Sequence, residues 1–127
     1  IIHSREATED TINILKMFPD VKGVLHCYSG SLETAKILIK MGYYLSFTGV
    51  VTYKNAAKSL EVVEWMPLDM LMAETDSPYL TPVPFRGKRN ESSYVPYIAQ
   101  KLSEVTGRDI QEIAASTTEN AQKLFAI

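Results

Sequence analysis

Val21-Lys22-Gly23-Val24-Leu25-His26-Cys27-Tyr28, then Ser29-Gly30, then Ser31-Leu32-Glu33-Thr34-Ala35-Lys36-Ile37-Leu38-Ile39-Lys40-Met41-Gly42, then Tyr43-Tyr44-Leu45-Ser46-Phe47-Thr48-Gly49-Val50-Val51 is the stretch on which the fold turns. An apolar β-prone run, a segment of helical period and a second apolar run in succession are the signature of a βαβ unit, and such units build parallel sheets. Ser31 offers the side-chain oxygen of an N-cap, Ala35, Leu38 and Ile39 recur on one face, and Gly42 suits the left-handed residue that ends a helix.

The same alternation extends in both directions. Upstream, Ile1-Ile2 reads as the stump of another strand, and a helix is expected over Glu6 to Phe18 with Ala7, Thr11, Ile14, Leu15 and Phe18 on one face and Pro19-Asp20 as its stop. Downstream, a third helix opens at Lys54 or Asn55 and runs to Met66 before Pro67, and Met70 to Thr75 makes a third strand. All three helices read as crossovers. The loop from Ser77 to Asn90 is stiffened by Pro78, Pro82 and Pro84 and carries Arg86, Gly87, Lys88 and Arg89. Helical period returns with Val95, Ile98, Ala99, Leu102 and Val105, and Gly107 ends that helix. Asp109 and Glu112 form a capping-box pattern for the next, and Thr118 to Ala126 reads as a separate short helix. The fold class is α/β, built from parallel (β/α) units.

A chain of 127 residues, 46% of them hydrophobic, can bury one modest core, so one domain is expected. A (β/α)₈ barrel typically needs about 250 residues, and a chain of this length can supply only part of one. Thirteen basic against fifteen acidic side chains give a formal charge of −2, which lacks the broad cationic surface that neutralises duplex DNA, and any nucleic-acid contact is expected to be local. The single cysteine, Cys27, forms no intrachain disulfide, and no apolar run approaches the roughly 20 residues of a membrane span; a reducing cytoplasm fits. Ile1-Ile2-His3 has neither an initiator Met nor a targeting pattern and starts as if inside a strand, which is read as a truncation.

His3 closes Ile-Ile-His, His26 closes Val-Leu-His, and Asp76 follows Met-Ala-Glu-Thr, all at strand ends, which in a parallel barrel form the active-site rim. Two imidazoles and a carboxylate suit Zn²⁺, Mn²⁺ or a similar divalent ion, although isolated strand-end histidines also occur as plain core or surface residues. Alternation along the strands places Glu74 and Asp76 on one face and sends Cys27 to the side opposite His26.

His26-Cys27-Tyr28-Ser29-Gly30, Glu74-Thr75-Asp76-Ser77-Pro78-Tyr79-Leu80, Arg86-Gly87-Lys88-Arg89-Asn90-Glu91 and Thr118-Glu119-Asn120-Ala121, with the opening Ile2-His3-Ser4-Arg5-Glu6-Ala7, resemble in order and spacing the signature blocks of the TatD family of metal-dependent deoxyribonucleases. The resemblance covers essentially the whole chain and implies that residues 1–127 are the C-terminal portion of a single TIM-barrel hydrolase domain of the amidohydrolase-like type, its N-terminal half missing. It further implies a phosphodiesterase site with two divalent ions, Mg, Mn or Zn, in which His3, His26 and Asp76 are metal ligands and DNA is the substrate. A His-x-His pair and a further glutamate of the family's site lie outside this sequence, so the chain holds about half of a binuclear site.

The chemistry of the residues agrees with these roles. Asp76 is the candidate that both ligates and accepts a proton from attacking water, and Glu74 is the candidate partner that orients a ligating histidine, with a solvated or ion-paired strand carboxylate as its alternative. Arg86 and Arg89 are candidate phosphate contacts; the alternative is a solvated loop that pairs with Glu91. Tyr28 and Tyr79 flank the ligand positions, where each ring either stacks on a base or packs in the core. Ser29-Gly30-Ser31 leads into a helix N-terminus, a cap that can also take an anion. Besides a deoxyribonuclease, two other functions are open: a barrel hydrolase of amides or lactones, and a non-catalytic half-barrel module. The exposed strand edges of the latter would pair with a second copy or with the missing half.

Overall fold

Three short strands run parallel in the order β1 (Val24–Leu25), β2 (Tyr44–Phe47), β3 (Leu71–Ala73), and Ile2 adds a parallel bridge to Leu25 on the outer side of β1. The computed structural model describes residues 1–127. Five helices accompany the strands: α1 (Thr8–Met17), α2 (Leu32–Lys40), α3 (Ala57–Trp65), α4 (Val95–Thr106) and α5 (Ile110–Phe125). The first three lie between successive strands as crossovers. This is the expected α/β class with parallel (β/α) units.

The strands are shorter than the apolar runs suggest, because each is turned aside at its C-terminal end. Cys27 adopts a left-handed conformation with φ 47°, and after β2 the Thr48 hydroxyl accepts the Val50 N–H and starts a tight 3-10 turn over Gly49–Thr52. Gly49 is required there: a Cβ would collide with the Leu80 carbonyl and with Pro82, which lie directly against it. The proline-rich loop after β3 is thereby seated on the turn after β2.

Period-2 alternation divides the sheet into two faces. Leu25, Leu45, Phe47 and Leu71 point into the main core, where they meet Leu38 of α2, Val62 and Val63 of α3, Ile98 and Leu102 of α4 and Ile113 of α5. Truncating a fully buried leucine such as Leu45 to alanine costs about 2–5 kcal/mol in such a setting. Val24, Ser46 and Met72 take the other face, where they line a small cavity with His26 and Glu74. The sheet therefore has a packed outer face and an inner face that ends at the candidate site.

Helix α2 forms as its sequence dictates: the Ser31 hydroxyl oxygen accepts the Thr34 N–H, and Gly42 is left-handed at φ 84°. Four expectations are corrected in whole or in part. In α1 the predicted face holds only in part: Ala7, Thr11 and Leu15 are half-buried, with Leu15 joined by Ile12 at the core margin, but Ile14 is 57% and Phe18 54% exposed. The helix also starts later, since Glu6 sits at φ 53°. Asp109 caps α5 by accepting the Gln111 N–H, but Glu112 pairs with Arg108 at 2.7 Å instead of closing a reciprocal box. Finally, α5 is one continuous helix rather than two. Thr117 and Thr118 turn their hydroxyls back onto the Ile113 and Ala114 carbonyls, and Asn120 anchors the helix by donating to the Leu68 and Leu71 carbonyls.

Candidate metal centre

The backbone sets the two histidines side by side before any side chain is considered. The Ile2 N–H donates to the Val24 carbonyl at 2.8 Å and the His26 N–H to the Ile2 carbonyl at 3.0 Å, so His3 and His26 leave adjacent strand ends at the same level. Their rings tilt by 37° with centroids 5.1 Å apart, and His3 Nδ1 lies 2.8 Å from His26 Nε2. On the far side of the His26 ring, Nδ1 lies 3.4 Å from Glu74 Oε2. The other oxygen of Glu74 accepts the Cys27 N–H at 2.6 Å.

One protonation pattern satisfies this chain of contacts. His26 donates its Nδ1–H to Glu74, which leaves on Nε2 a lone pair that faces His3 Nδ1. A carboxylate on the remote ring nitrogen is how metal-binding histidines are commonly held in tautomer and orientation. The left-handed turn at Cys27 makes this arrangement possible, since it frees the Cys27 N–H from the sheet and offers it to Glu74. The Cys27 thiol is half-buried, with Sγ 3.7 Å from Thr48 Oγ1. Burial pushes that thiol up, the Thr48 contact opposes the push, and the nearby Glu74 and Asp76 carboxylates add to it.

Asp76 occupies the same end of the sheet but not the strand. It follows β3 in a left-handed conformation at φ 55°, so the alternation that was to place it on one face with Glu74 stops at Glu74. The loop holding Asp76 is clipped from outside by the buried Asn90. The Asn90 amide donates to the Thr75 carbonyl at 2.8 Å and to the Tyr79 carbonyl at 2.6 Å, its backbone N–H takes the Pro78 carbonyl at 3.0 Å, and its side-chain oxygen accepts the Glu91 N–H at 2.9 Å. Both flanks of Asp76 are therefore fixed by one residue.

Donor chemistry fits a divalent ion in kind: two imidazole nitrogens share one locus and one of them is buttressed by a carboxylate. In number the fit is partial. No three His, Cys, Asp or Glu side chains, Asp76 included, form a group that could hold an ion.

The remaining sequence candidates are distributed around this centre. Arg86 lies over the ring of Tyr53, 4.1 Å from its centroid, and Glu91 accepts from Ser93; neither Arg86 nor Arg89 pairs with Glu91. Tyr53 donates its hydroxyl to the Thr81 carbonyl. Tyr28 is corrected as an open base-stacking surface: its ring is 8% exposed, edge-on to Phe47, and its hydroxyl donates to the Ser31 carbonyl. Tyr79 is the reverse, 69% exposed instead of packed in the core. Sequence reasoning passed over Asn90 and Tyr53. A buried asparagine within a proline-rich loop, whose carbonyls lack ladder partners, was a usable signal for the first; the second is paired with a residue 33 positions away by number, and no local pattern marks it.

A family model described as TatD related DNase matches residues 1–126. The chain is 54% identical over 129 aligned positions to a Bacillus subtilis (strain 168) protein named "Uncharacterized metal-dependent hydrolase YabD", a match spanning 100% of this chain and 51% of that protein. It is 43% identical over 129 positions to "Uncharacterized metal-dependent hydrolase YcfH" of Escherichia coli (strain K12), spanning 100% of this chain and 49% of that protein. The crystal structure of YJJV, a TATD homolog from Escherichia coli K12, superimposes with a TM-score of 0.90 at 31% identity over 98% of this chain and 49% of that one. The chain thus spans about half the length of the relatives it matches.

Proposed function

The chain belongs to the TatD-related DNase family, and on that premise we propose that it supplies part of a divalent-metal site that hydrolyses phosphodiester bonds of DNA. The observation that carries this reading is the Glu74–His26–His3 chain of contacts, which brings two nitrogen donors from positions 23 residues apart to within 2.8 Å of one another. His3 and His26 would hold the ion, with Asp76 as the carboxylate joining from the loop after β3. When bound, a divalent ion polarises a phosphoryl oxygen and makes bound water acidic enough to attack near neutral pH.

Everything else falls to the chain's own side chains. Glu74 takes the His26 Nδ1–H and so keeps Nε2 free to donate its lone pair. Asp76, half-buried on a loop held from both sides by Asn90, accepts the proton of the attacking water. Arg86, stacked on Tyr53, presents a guanidinium edge to a substrate phosphate. The remaining ligands come from the other half of a barrel, which would close over the inner face of the sheet where Ile1, Val24, Met72 and Phe125 line an apolar cavity. Two copies of this chain closing on each other is the second reading, and a sizing column separates the two.

The test is Asp76→Asn in a complete-barrel background loaded with Mg²⁺ or Mn²⁺. It keeps volume and removes the charge, and we expect a rate loss of at least about 10² to 10⁴ with a nearly unchanged melting temperature. Cleavage of DNA at close to the parent rate would remove Asp76 from the site. Turnover of lactones or amides, with oligonucleotides untouched, would overturn the phosphodiester assignment.

A further inference from the structure

We propose that Phe85 is a positioning residue: wedged against Tyr94 and Tyr97, it fixes the loop after β3 so that Arg86 stands over Tyr53 and faces a substrate phosphate. The proposal rests on the nuclease reading, because it deepens the role given there to Arg86.

Arg86 does not hold itself in place. It is exposed, it forms no ion pair, and its one close partner is the Tyr53 ring, with the guanidinium carbon 4.1 Å from the centroid. A lone arginine–aromatic contact at the surface is weak, and the long side chain loses rotamer freedom in making it. The direction in which Arg86 leaves the backbone must therefore be set by its neighbours.

Phe85 is the neighbour equipped to set it. Its ring stacks on Tyr94, with centroids 4.6 Å apart and planes 12° from parallel, and meets Tyr97 edge-on at 5.1 Å. Tyr94 and Tyr97 stand at the cap and in the first turn of α4, and they contact each other edge to face at 6.2 Å. Two favourable ring geometries outweigh the single exposed contact of Arg86. Within the loop, the Phe85 N–H donates to the Pro82 carbonyl at 2.9 Å, the Lys88 N–H donates to the Phe85 carbonyl at 3.0 Å, and the Lys88 ammonium lies 5.7 Å from the Phe85 centroid. Backbone turn and aromatic cluster thus meet at one residue. None of the three rings belongs to the main core, and Tyr97 is 40% exposed, so the cluster is a satellite that joins the loop to α4. Consecutive side chains then straddle the loop, Phe85 seated on α4 and Arg86 on the residue that follows the turn after β2. Moving Phe85 off α4 would release Arg86 from Tyr53.

The test is a cycle of Phe85→Ala, Arg86→Gln and the double variant in a complete-barrel background, with Tyr94→Leu as a second way to break the cluster where Phe85→Ala folds poorly. Burial raises the Tyr53 titration and nearby Arg86 lowers it, which makes that phenol a reporter of where the guanidinium sits. Arg86→Gln is expected to delay the Tyr53 ultraviolet step, identified by its loss on adding Tyr53→Phe, in the parent and to leave it unmoved in the Phe85→Ala background. In the Mg²⁺-loaded protein, Phe85→Ala should raise KM for an oligodeoxynucleotide about tenfold, the scale of one charge-assisted contact, with kcat nearly unchanged. On top of Arg86→Gln it should add nothing to KM, because Phe85 acts through Arg86, while its cost in melting temperature persists. An Arg86→Gln delay of equal size in the parent, Phe85→Ala and Tyr94→Leu backgrounds overturns the proposal. So does the lack of any delay in the parent, or an equal rise in KM from Phe85→Ala with and without Arg86. The nuclease reading fails separately: the expected Tyr53 cycle in a metal-loaded protein that cleaves no DNA keeps Phe85 as the residue that places Arg86 and removes the activity. DNA cleavage with the Tyr53 step indifferent to Phe85 keeps the nuclease and removes the positioning role.

Discussion

Glu74 and His26 meet with Oε2 3.4 Å from Nδ1 although 48 residues separate them in the chain. The carboxylate has two tasks, one charge-dependent and one not, since its other oxygen accepts the Cys27 N–H. Glu74→Gln retains an acceptor for that N–H and loses the charge that favours the His26 Nδ1–H. Manganese affinity measured by calorimetry is expected to fall about 10- to 100-fold while the melting temperature holds. Unchanged affinity would reduce Glu74 to a strand-end acceptor.

Asn90 is expected to be worth more than an average polar residue, because its loss leaves two carbonyls beside Asp76 without donors. Asn90→Ala should destabilise by about 2–4 kcal/mol, read from urea unfolding. Asn90→Asp keeps the acceptor for Glu91 but cannot donate, and it should recover little of the loss. A cost below about 0.5 kcal/mol in both would mean that water replaces the clip.

Burial pushes the Tyr28 phenol up to about 12 from its ordinary value of 10.0, against a lowering contact from Thr34 and with a small push from Glu33. A folded-state value above the unfolded one means the native chain holds its proton longer. This contribution to stability is therefore complete below pH 10 and is lost as pH rises towards 12. Tyr28→Phe should flatten the fall in unfolding free energy across that window. An unaltered alkaline limb would show that other groups carry it.

Arg86 and Tyr53 make a second charge-sensitive pair. Burial raises the Tyr53 phenol and the Arg86 cation pulls it back. Arg86→Gln should therefore send the Tyr53 titration higher still, visible as a delayed ultraviolet ionisation step that disappears in Tyr53→Phe. In a complete-barrel background the same change should raise KM for DNA more than it lowers the melting temperature. The reverse balance would make Arg86 a structural residue.

The parallel class, the crossovers and the location of His3, His26 and Asp76 at one end of the sheet were legible because apolar periodicity and strand ends are local features. Two physical effects hid the rest. Left-handed residues at Glu6, Cys27 and Asp76 carry no glycine signal, so helix and strand limits and the facing of Asp76 could not be read from alternation. Distant pairings such as Asn120 with Leu71, or Arg86 with Tyr53, arise only when the chain has closed on itself. The exposed face of α1 belongs to the same class, since amphipathic spacing states what a helix can bury and not what is there to cover it.

The missing side chain of Gly49 ties two distant segments into one unit of variation. Leu80 and Pro82 occupy the volume that any other residue at 49 would need, so a substitution there is tolerated only if the loop retreats. That loop also carries Asp76 and the Asn90 clip. Mutations at 49 and at 80–82 should therefore be strongly epistatic, with double mutants departing from the sum of their singles. Sequence drift in the turn after β2 is in this way policed by the loop that carries Asp76 rather than by the core beneath it.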